Sequence, residues 1–331
     1  MKNLSVALAA LLLVSCGGYP DDIDIGQGID EPDRALFERA KFDLKRGEFT
    51  RARLLLQNLI STYPDSEFVP EAKYAIAESW YQMGTRADLA QADYEFSDYI
   101  VYFPTDELAD DAQMMRAMTH VRQMEKPDRD PTEALLAERE LQTLIDNYPG
   151  SDLLEEAKEK LRGVQDVIAE GHLRIANHYF AVGSMAAAAS RYLELLETYP
   201  DFTGTPETLY RLGELLRRSG NDGESIVYYA LIIREHPLSD FEDDARKRLA
   251  ALDQPVPEVN EAALARAQAE PSEDRGLFAR MLGVFSGRPD ISTETTAASI
   301  LEENPPAEGP GDGQFSLDGV VVEEEVVPPD E

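Results

Sequence analysis

A short pattern that recurs five times along the chain constrains its fold more than any other feature. Each copy ends in an aromatic residue or a histidine followed by proline, and a small residue stands twelve positions before that proline. The pairs are Tyr63-Pro64, Phe103-Pro104, Tyr148-Pro149, Tyr199-Pro200 and His236-Pro237. The small residues are Ala52, Ala92, Ala137, Ala188 and Ser225. A proline prevents a helix from continuing, so each copy predicts the end of a helix.

Upstream of these positions, three copies share a glycine and a second small residue. The glycines are Gly47, Gly183 and Gly220, and the small residues seven positions before them are Ala40, Ala176 and Gly213. A glycine ends a helix readily, and small residues let two antiparallel helices approach closely. The pattern resembles the tetratricopeptide repeat, whose period is ~34 residues. An irregular helical bundle with loops punctuated by proline is the alternative.

We therefore predict an all-α solenoid of about five helix-turn-helix repeats between residues 31 and 252. The predicted repeats are roughly 31–66, 67–106, 107–151, 152–203 and 204–252. The intervals from Pro104 to Pro149 and from Pro149 to Pro200 are longer than one repeat requires, which predicts extra turns or a longer helix around residues 151–171. A final helix over residues 240–252 would cover the last repeat.

The first sixteen residues predict an export signal that ends in a lipid attachment site. Lys2 precedes an uncharged run over residues 4–14, which is too short to span a bilayer. The run ends in Leu13-Val14-Ser15-Cys16, which resembles a bacterial lipobox. We expect a signal peptide over 1–15, covalent lipid on Cys16 and a tether over 16–30. The residue after Cys16 is glycine and not aspartate, which favours the periplasmic face of the outer membrane. The alternative is an ordinary secretory signal with a chance cysteine.

Charge and composition exclude several function classes. The net charge of −33 argues against nucleic acid and against electrostatic attraction to anionic lipid, so the membrane would be reached through the lipid anchor only. Cys16 is the one cysteine, and His172 and His178 are spaced wrongly for a helical zinc site. No phosphate loop, nucleophile elbow or zinc-protease motif occurs. We expect no enzyme, no metal and no cofactor beyond the lipid.

The C-terminal segment differs in character from the repeats. Residues 253–331 contain 18 acidic residues, four arginines and nine prolines, a composition that predicts a disordered acidic tail. Within it, residues 276–285 form an apolar island. This island either docks onto another surface or is an incidental apolar stretch in a linker.

The layout of signal, lipobox and five repeats resembles the BamD family, the lipoproteins of the outer-membrane β-barrel assembly machine. Four stretches carry the resemblance: 63–66 (Tyr-Pro-Asp-Ser), 128–131 (Asp-Arg-Asp-Pro), 148–151 (Tyr-Pro-Gly-Ser) and the helix from 169 through 180. The resemblance implies that the C-terminal repeats hold a BamA-like barrel protein, with Arg191 as a contact. It also implies that the N-terminal repeats receive unfolded outer-membrane β-barrel proteins, and that other accessory assembly lipoproteins are possible partners.

The expected substrate groove lies on the first helices of the first three repeats. Counted three residues before, one after and four after Ala40, Ala77 and Ala117 (the last assigned by the family resemblance), its members are Phe37, Lys41, Leu44, Tyr74, Glu78, Tyr81, Met114, Met118 and Val121. Apolar, aromatic and methionine side chains on a concave surface suit a partner of variable sequence. The alternative is that Phe37, Leu44 and Met114 pack between repeats.

Two other functions remain open. A periplasmic scaffold lipoprotein that organises cell-wall or envelope enzymes would carry the same signal and repeats. A cell-wall hydrolase with an appended repeat domain would need a catalytic segment, and only the acidic tail remains to supply one.

Overall fold

The computed structural model describes residues 31–269, and every regular element in this range is a helix. The twelve helices are α1 (Pro32–Lys45), α2 (Phe49–Thr62), α3 (Val69–Met83), α4 (Arg86–Tyr102), α5 (Ala109–Val121), α6 (Thr132–Asn147), α7 (Leu154–Ala181), α8 (Met185–Thr198), α9 (Thr205–Arg218), α10 (Asp222–Glu235), α11 (Glu242–Ala251) and α12 (Glu261–Ala269). The predicted all-α fold class of helix-turn-helix repeats is confirmed. None of these helices is long and apolar enough to cross a membrane.

The helices form two compact units. The first unit ends at Gly84 and contains α1 to α3, and the second begins at Thr85 and contains α4 to α12. The predicted repeat 67–106 is therefore divided, with α3 in the first unit and α4 in the second.

Small residues and glycines of the repeat have the structural roles that the pattern predicted. All eight small residues of the two sets are buried, Ser225 and Gly213 among them, and the six alanines have no exposed surface: Ala40, Ala52, Ala92, Ala137, Ala176 and Ala188. At Gly213, a Cβ would lie 2.7 Å from the Tyr229 ring, so a larger residue has no room. Gly47, Gly84, Gly183 and Gly220 have φ between 73° and 81°, the left-handed region that ends helices.

The aromatic-proline pairs end the second helix of each repeat. Helices α2, α4, α6, α8 and α10 each stop one residue before the pair, and the next residue has φ near −127° with ψ above 50°. A residue before proline avoids the helical region because the proline ring would clash with it. The five predicted helix ends are confirmed.

Helix α7 is the long helix that the uneven spacing predicted, with 28 residues from Leu154 to Ala181. Its first half, from Ala157 to Ile168, packs into a hydrophobic cluster with α5 and α6. Its second half, from Ala169 to Phe180, packs into a cluster with α8 to α11. The half-buried Tyr199 packs against both clusters, so the second unit has a core that one continuous helix passes through.

The C-terminal part of the chain corrects one prediction. Helix α11 covers α10 as expected, but regular structure continues beyond residue 252 with helix α12. Asn260 donates its backbone N–H to the carbonyl of Arg234, 2.9 Å away, and its side chain caps α12, where Ala263 is buried. The prediction of disorder from residue 253 is wrong as far as Ala269, because the alanine-rich sequence of α12 favours helix although the tail around it is acidic and rich in proline. Cys16, the tether and the island 276–285 lie outside the described residues.

Candidate binding surface

One face of α3 presents two tyrosines and a glutamate to the surface of the first unit. Tyr74, Glu78 and Tyr81 are spaced four and three residues apart, so they lie on one side of the helix. Both tyrosines are partly exposed and Glu78 is exposed, whereas the opposite side of α3 is buried. These three predicted groove residues are therefore brought together on one accessible helix face.

Helix α1 contributes Lys41 beside this face. The other two groove residues predicted on α1, Phe37 and Leu44, are turned towards the core. Lys41 Nζ lies 3.4 Å from Glu71 of α3 and 5.0 Å from the centroid of the Phe37 ring. Phe37 itself is 1% exposed and stacks on Phe68, with ring centroids 5.0 Å apart. Leu44 is partly buried against the same core. The interpretation of Phe37 as a groove residue is wrong, and Leu44 contributes mainly to packing.

The groove residues predicted on α5, in the second unit, are also buried or partly buried. Met114 and Val121 are 5% and 2% exposed and belong to the core shared by α5, α6 and α7, so their assignment to the groove is wrong. Met118 is partly buried and packs against that core. The error has a physical cause, since positions one residue apart on a helix differ by ~100° in direction and separate core from surface. The accessible members are Lys41, Tyr74, Glu78 and Tyr81, all in the first unit.

The buried Arg53 of α2 contacts three residues of α3. The Cζ atom of Arg53, on α2, lies 3.7 Å from the centroid of the Trp80 ring, and Nη1 donates to the Ser79 hydroxyl at 3.1 Å. Met83 Sδ lies 3.3 Å from the same nitrogen. A cation in contact with an indole face is a strong attraction where water is excluded. This cluster was not predicted, although a charged residue directly after the small Ala52 is a visible signal.

The position after the small residue makes a polar contact to the following helix in two further repeats. Asp93 of α4 accepts a hydrogen bond from Arg116 of α5 at 2.8 Å. Glu138 of α6 accepts one from Gln165 of α7 at 2.9 Å. This repeated cross-helix contact fixes neighbouring helices of the second unit against one another.

His120 of α5 is held between two carboxylates of adjacent helices. Its Nδ1 lies 2.9 Å from Glu133 Oε2, and its Nε2 lies 3.5 Å from Asp93 Oδ1. Burial opposes the charged imidazolium, but the contacts with Asp93 and Glu133 outweigh it and raise the pKa of His120 above 6.5. Within residues 31–269, no group of three or more histidine, cysteine or acidic side chains is arranged to hold a metal ion.

Arg191, the residue implied as a partner contact, is on the surface of α8. Its Nη1 donates to Glu194 Oε2 at 2.8 Å, and its side chain is 45% exposed. An exposed pair of this kind contributes little to stability, in the range of ~0–1 kcal/mol. The side chain is therefore available to a partner.

A family model and the relatives found by sequence agree on one family. Residues 29–225 match the family described as YfiO, outer membrane lipoprotein. The chain is 28% identical over 218 residues to outer membrane protein assembly factor BamD of Vibrio cholerae, which covers 63% of this chain and 87% of that relative. BamD of Caulobacter vibrioides is 24% identical over 223 residues, covering 67% of this chain and 72% of the relative. A solved tetratricopeptide-repeat protein of Thermus thermophilus aligns with a TM-score of 0.28 and 19% identity, over 66% of this chain and 97% of that protein.

Proposed function

Because the chain belongs to the YfiO family of outer membrane lipoproteins, we propose that it is an assembly factor for outer-membrane proteins that acts by binding and not by catalysis. Its relatives are named outer membrane protein assembly factor BamD. In this proposal the first unit receives unfolded β-barrel substrates, and the second unit holds a BamA-like barrel protein. Other accessory assembly lipoproteins would join the same complex.

The observation that carries the substrate role is the α3 face formed by Tyr74, Glu78 and Tyr81. Tyrosines present large, rigid apolar surfaces that keep a polar end in water, so they accept varied apolar side chains without strict sequence preference. Lys41 and Glu71 add one charge of each sign beside them. An unfolded barrel strand alternates apolar and polar side chains, and such a face suits both kinds.

The anchor completes the proposal. Cys16 would carry the lipid that holds the protein at the periplasmic face of the outer membrane, because the helices of residues 31–269 include no membrane span. Cys16→Ala is expected to leave the protein uncleaved or soluble in the periplasm on membrane fractionation. Complete retention of this variant in membranes washed with high salt and carbonate would contradict lipid anchoring.

The substrate role is tested by peptide binding to the detergent-solubilised full chain. The double variant Tyr74→Ala/Tyr81→Ala should weaken binding of a labelled barrel C-terminal peptide at least about tenfold, which is ~1.4 kcal/mol. Each single variant should cost under ~1 kcal/mol of stability, as surface changes usually do. Tyr94→Ala, an exposed tyrosine on α4, is the matched control and should bind normally. Unchanged affinity with a stability loss of ~3 kcal/mol would assign the tyrosines to the core.

The partner role is tested by affinity purification from solubilised membranes. A BamA-like barrel protein should be the dominant partner, and Arg191→Glu should reduce its recovery. Arg174→Glu is the control, since Arg174 is 42% exposed and also pairs with a glutamate on its own helix. Recovery of cell-wall enzymes in place of a barrel protein would favour the alternative scaffold function.

A further inference from the structure

Arg218, the last residue of α9, has a guanidinium without a polar partner in the described part of the chain. Its Cζ lies 4.8 Å from the centroid of the Phe180 ring on α7. Phe180 is buried and Arg218 is partly buried, but no hydrogen bond or ion pair joins Arg218 to any residue between 31 and 269. A guanidinium has five N–H donors in its own plane, and an aromatic ring against its face leaves those donors available.

Three further arginines lie close enough to repel this guanidinium, and we call the four residues the arginine patch: Arg211, Arg217, Arg218 and Arg248. Burial lowers the pKa of Arg218, and repulsion from the other three arginines lowers it further against the attraction of Glu214. The ion pairs of the patch involve two carboxylates, Glu207 for Arg211 and Glu214 for Arg217 and Arg248. Two carboxylates for four guanidiniums leave a local excess of positive charge in a chain whose net charge is −33.

The chemistry that this patch fits is a carboxylate. An arginine binds a carboxylate through two parallel N–H···O bonds, and such charge-assisted pairs are the strongest hydrogen bonds that side chains make. The contact with the Phe180 ring already restrains the Arg218 side chain, so less side-chain freedom is lost on binding.

The chain itself carries matching groups in the segment that follows the last described helix. Residues 270–331 contain 15 acidic residues and three arginines, and their one run of three consecutive acidic residues is Glu323, Glu324 and Glu325. They follow α12, which packs against α10, the helix that pairs with α9 in the last hairpin. A chain of the roughly 50 residues between Ala269 and this run spans up to ~3.3 Å per residue, which is long enough for the run to contact the last repeat.

We propose that Glu323, Glu324 and Glu325 of this chain bind its own arginine patch, with one carboxylate paired to Arg218. The tether raises the effective concentration of the carboxylates to the order of millimolar, so modest affinity is enough for occupancy. The contact is screened by salt. Any acidic partner segment that uses the same patch must first displace these glutamates.

The test measures how fast phenylglyoxal modifies each arginine of the full chain in detergent, with the sites resolved by mass spectrometry. The wild type is compared with the triple variant E323Q/E324Q/E325Q, which alters nothing in the described residues. We expect Arg218 to react at least about threefold faster in the triple variant. Arg162, exposed on the first half of α7, is the control within the same molecule and should react equally in both. Adding 0.5 M salt to the wild type should accelerate Arg218 in the same way.

Three results would overturn the proposal. Equal rates for Arg218 in the two proteins would show that these glutamates do not cover it. Acceleration on deletion of residues 270–331, but not in the triple variant, would assign the contact to another segment. Protection that disappears on dilution would assign the carboxylates to a second copy of the chain.

Discussion

Arg53 and Trp80 are in direct contact, with the Arg53 Cζ atom 3.7 Å from the centroid of the indole ring. This contact joins α2 to α3 on the buried side of the helix that presents Tyr74 and Tyr81. The proposed substrate face is therefore fixed to the first unit through a cation and an aromatic ring.

Arg53→Ala should destabilise the first unit by ~2–3 kcal/mol, because it removes a desolvated cation–π contact and a buried hydrogen bond. Trp80 is the one tryptophan of the chain, so urea unfolding followed by its fluorescence reports this unit. Leu54→Ala, the next residue on α2 and 63% exposed, should stay within ~0.5 kcal/mol of wild type. Equal unfolding midpoints for Arg53→Ala and wild type would show that the contact is not stabilising.

The contacts of His120 predict a dependence of stability on pH in the second unit. A histidine whose pKa is raised on folding stabilises the fold fully below its unfolded value of 6.5, and this contribution is lost as pH rises through the raised pKa. Burial raises the pKa of Asp93, but its contacts with His120 and Arg116 outweigh burial and lower it below 3.8, so its contribution is lost only in stronger acid. Both groups are charged between these values.

The measurement is the denaturant midpoint, followed by circular dichroism from pH 5.5 to pH 9. The wild type should lose stability across this range, and His120→Gln should lose most of that dependence. His178→Gln, exposed on α7, serves as the control and should follow the wild type. A pH dependence that survives in His120→Gln would remove this histidine as its source.

Gly171 of α7 is predicted to tolerate no side chain. A Cβ there would lie 2.6 Å from the carbonyl oxygen of Pro127, in the connection between α5 and α6. Gly171→Ala should destabilise the second unit by ~1–3 kcal/mol through overpacking. Gly223→Ala, where nothing lies within 4 Å, should instead stabilise α10 by up to ~1 kcal/mol. Thermal unfolding compares the two, and the same sign for both would contradict the steric account.

Truncation should distinguish α12 from the acidic segment that follows it. A chain that stops after Ala269 should unfold thermally within about 2 °C of the full chain, because so polar a segment buries little apolar surface. A chain that stops after Leu252 loses α12 and should be less stable by ~1 kcal/mol, since Ala263 and Val259 no longer cover the last repeat. Identical melting temperatures for the two truncations would show that α12 adds nothing.

The sequence predicted those elements whose signals are local. Alanines at fixed intervals, glycines with positive φ and the residues before proline determine helix ends and close approaches without reference to distant parts of the chain. The assignment of side chains to core or surface was less secure. The repeat spacing predicts groove positions for Phe37, Met114 and Val121, but an apolar side chain fits core and groove equally well. Only the packing of neighbouring helices decides between the two.

Tertiary contacts escaped prediction for a different reason. The pairing of Arg53 with Trp80 and of Arg218 with Phe180 depends on which helices become neighbours and at which height along their axes. Helix α12 was missed because its helix-forming residues lie in a segment whose average composition predicts disorder. Its capping residue, Asn260, was the one local sign of a helix start.

The continuity of α7 limits how this chain can vary in length. Inserting a single residue between Ile168 and Ala169 would turn one half of the helix by ~100° and shift it by ~1.5 Å relative to the other. One of the two hydrophobic clusters would then face the wrong way, whereas an insertion in the connections on either side of α7 would leave both intact. Natural variation in length should therefore be absent from the middle of this helix and concentrated in the adjoining loops, such as residues 122–131.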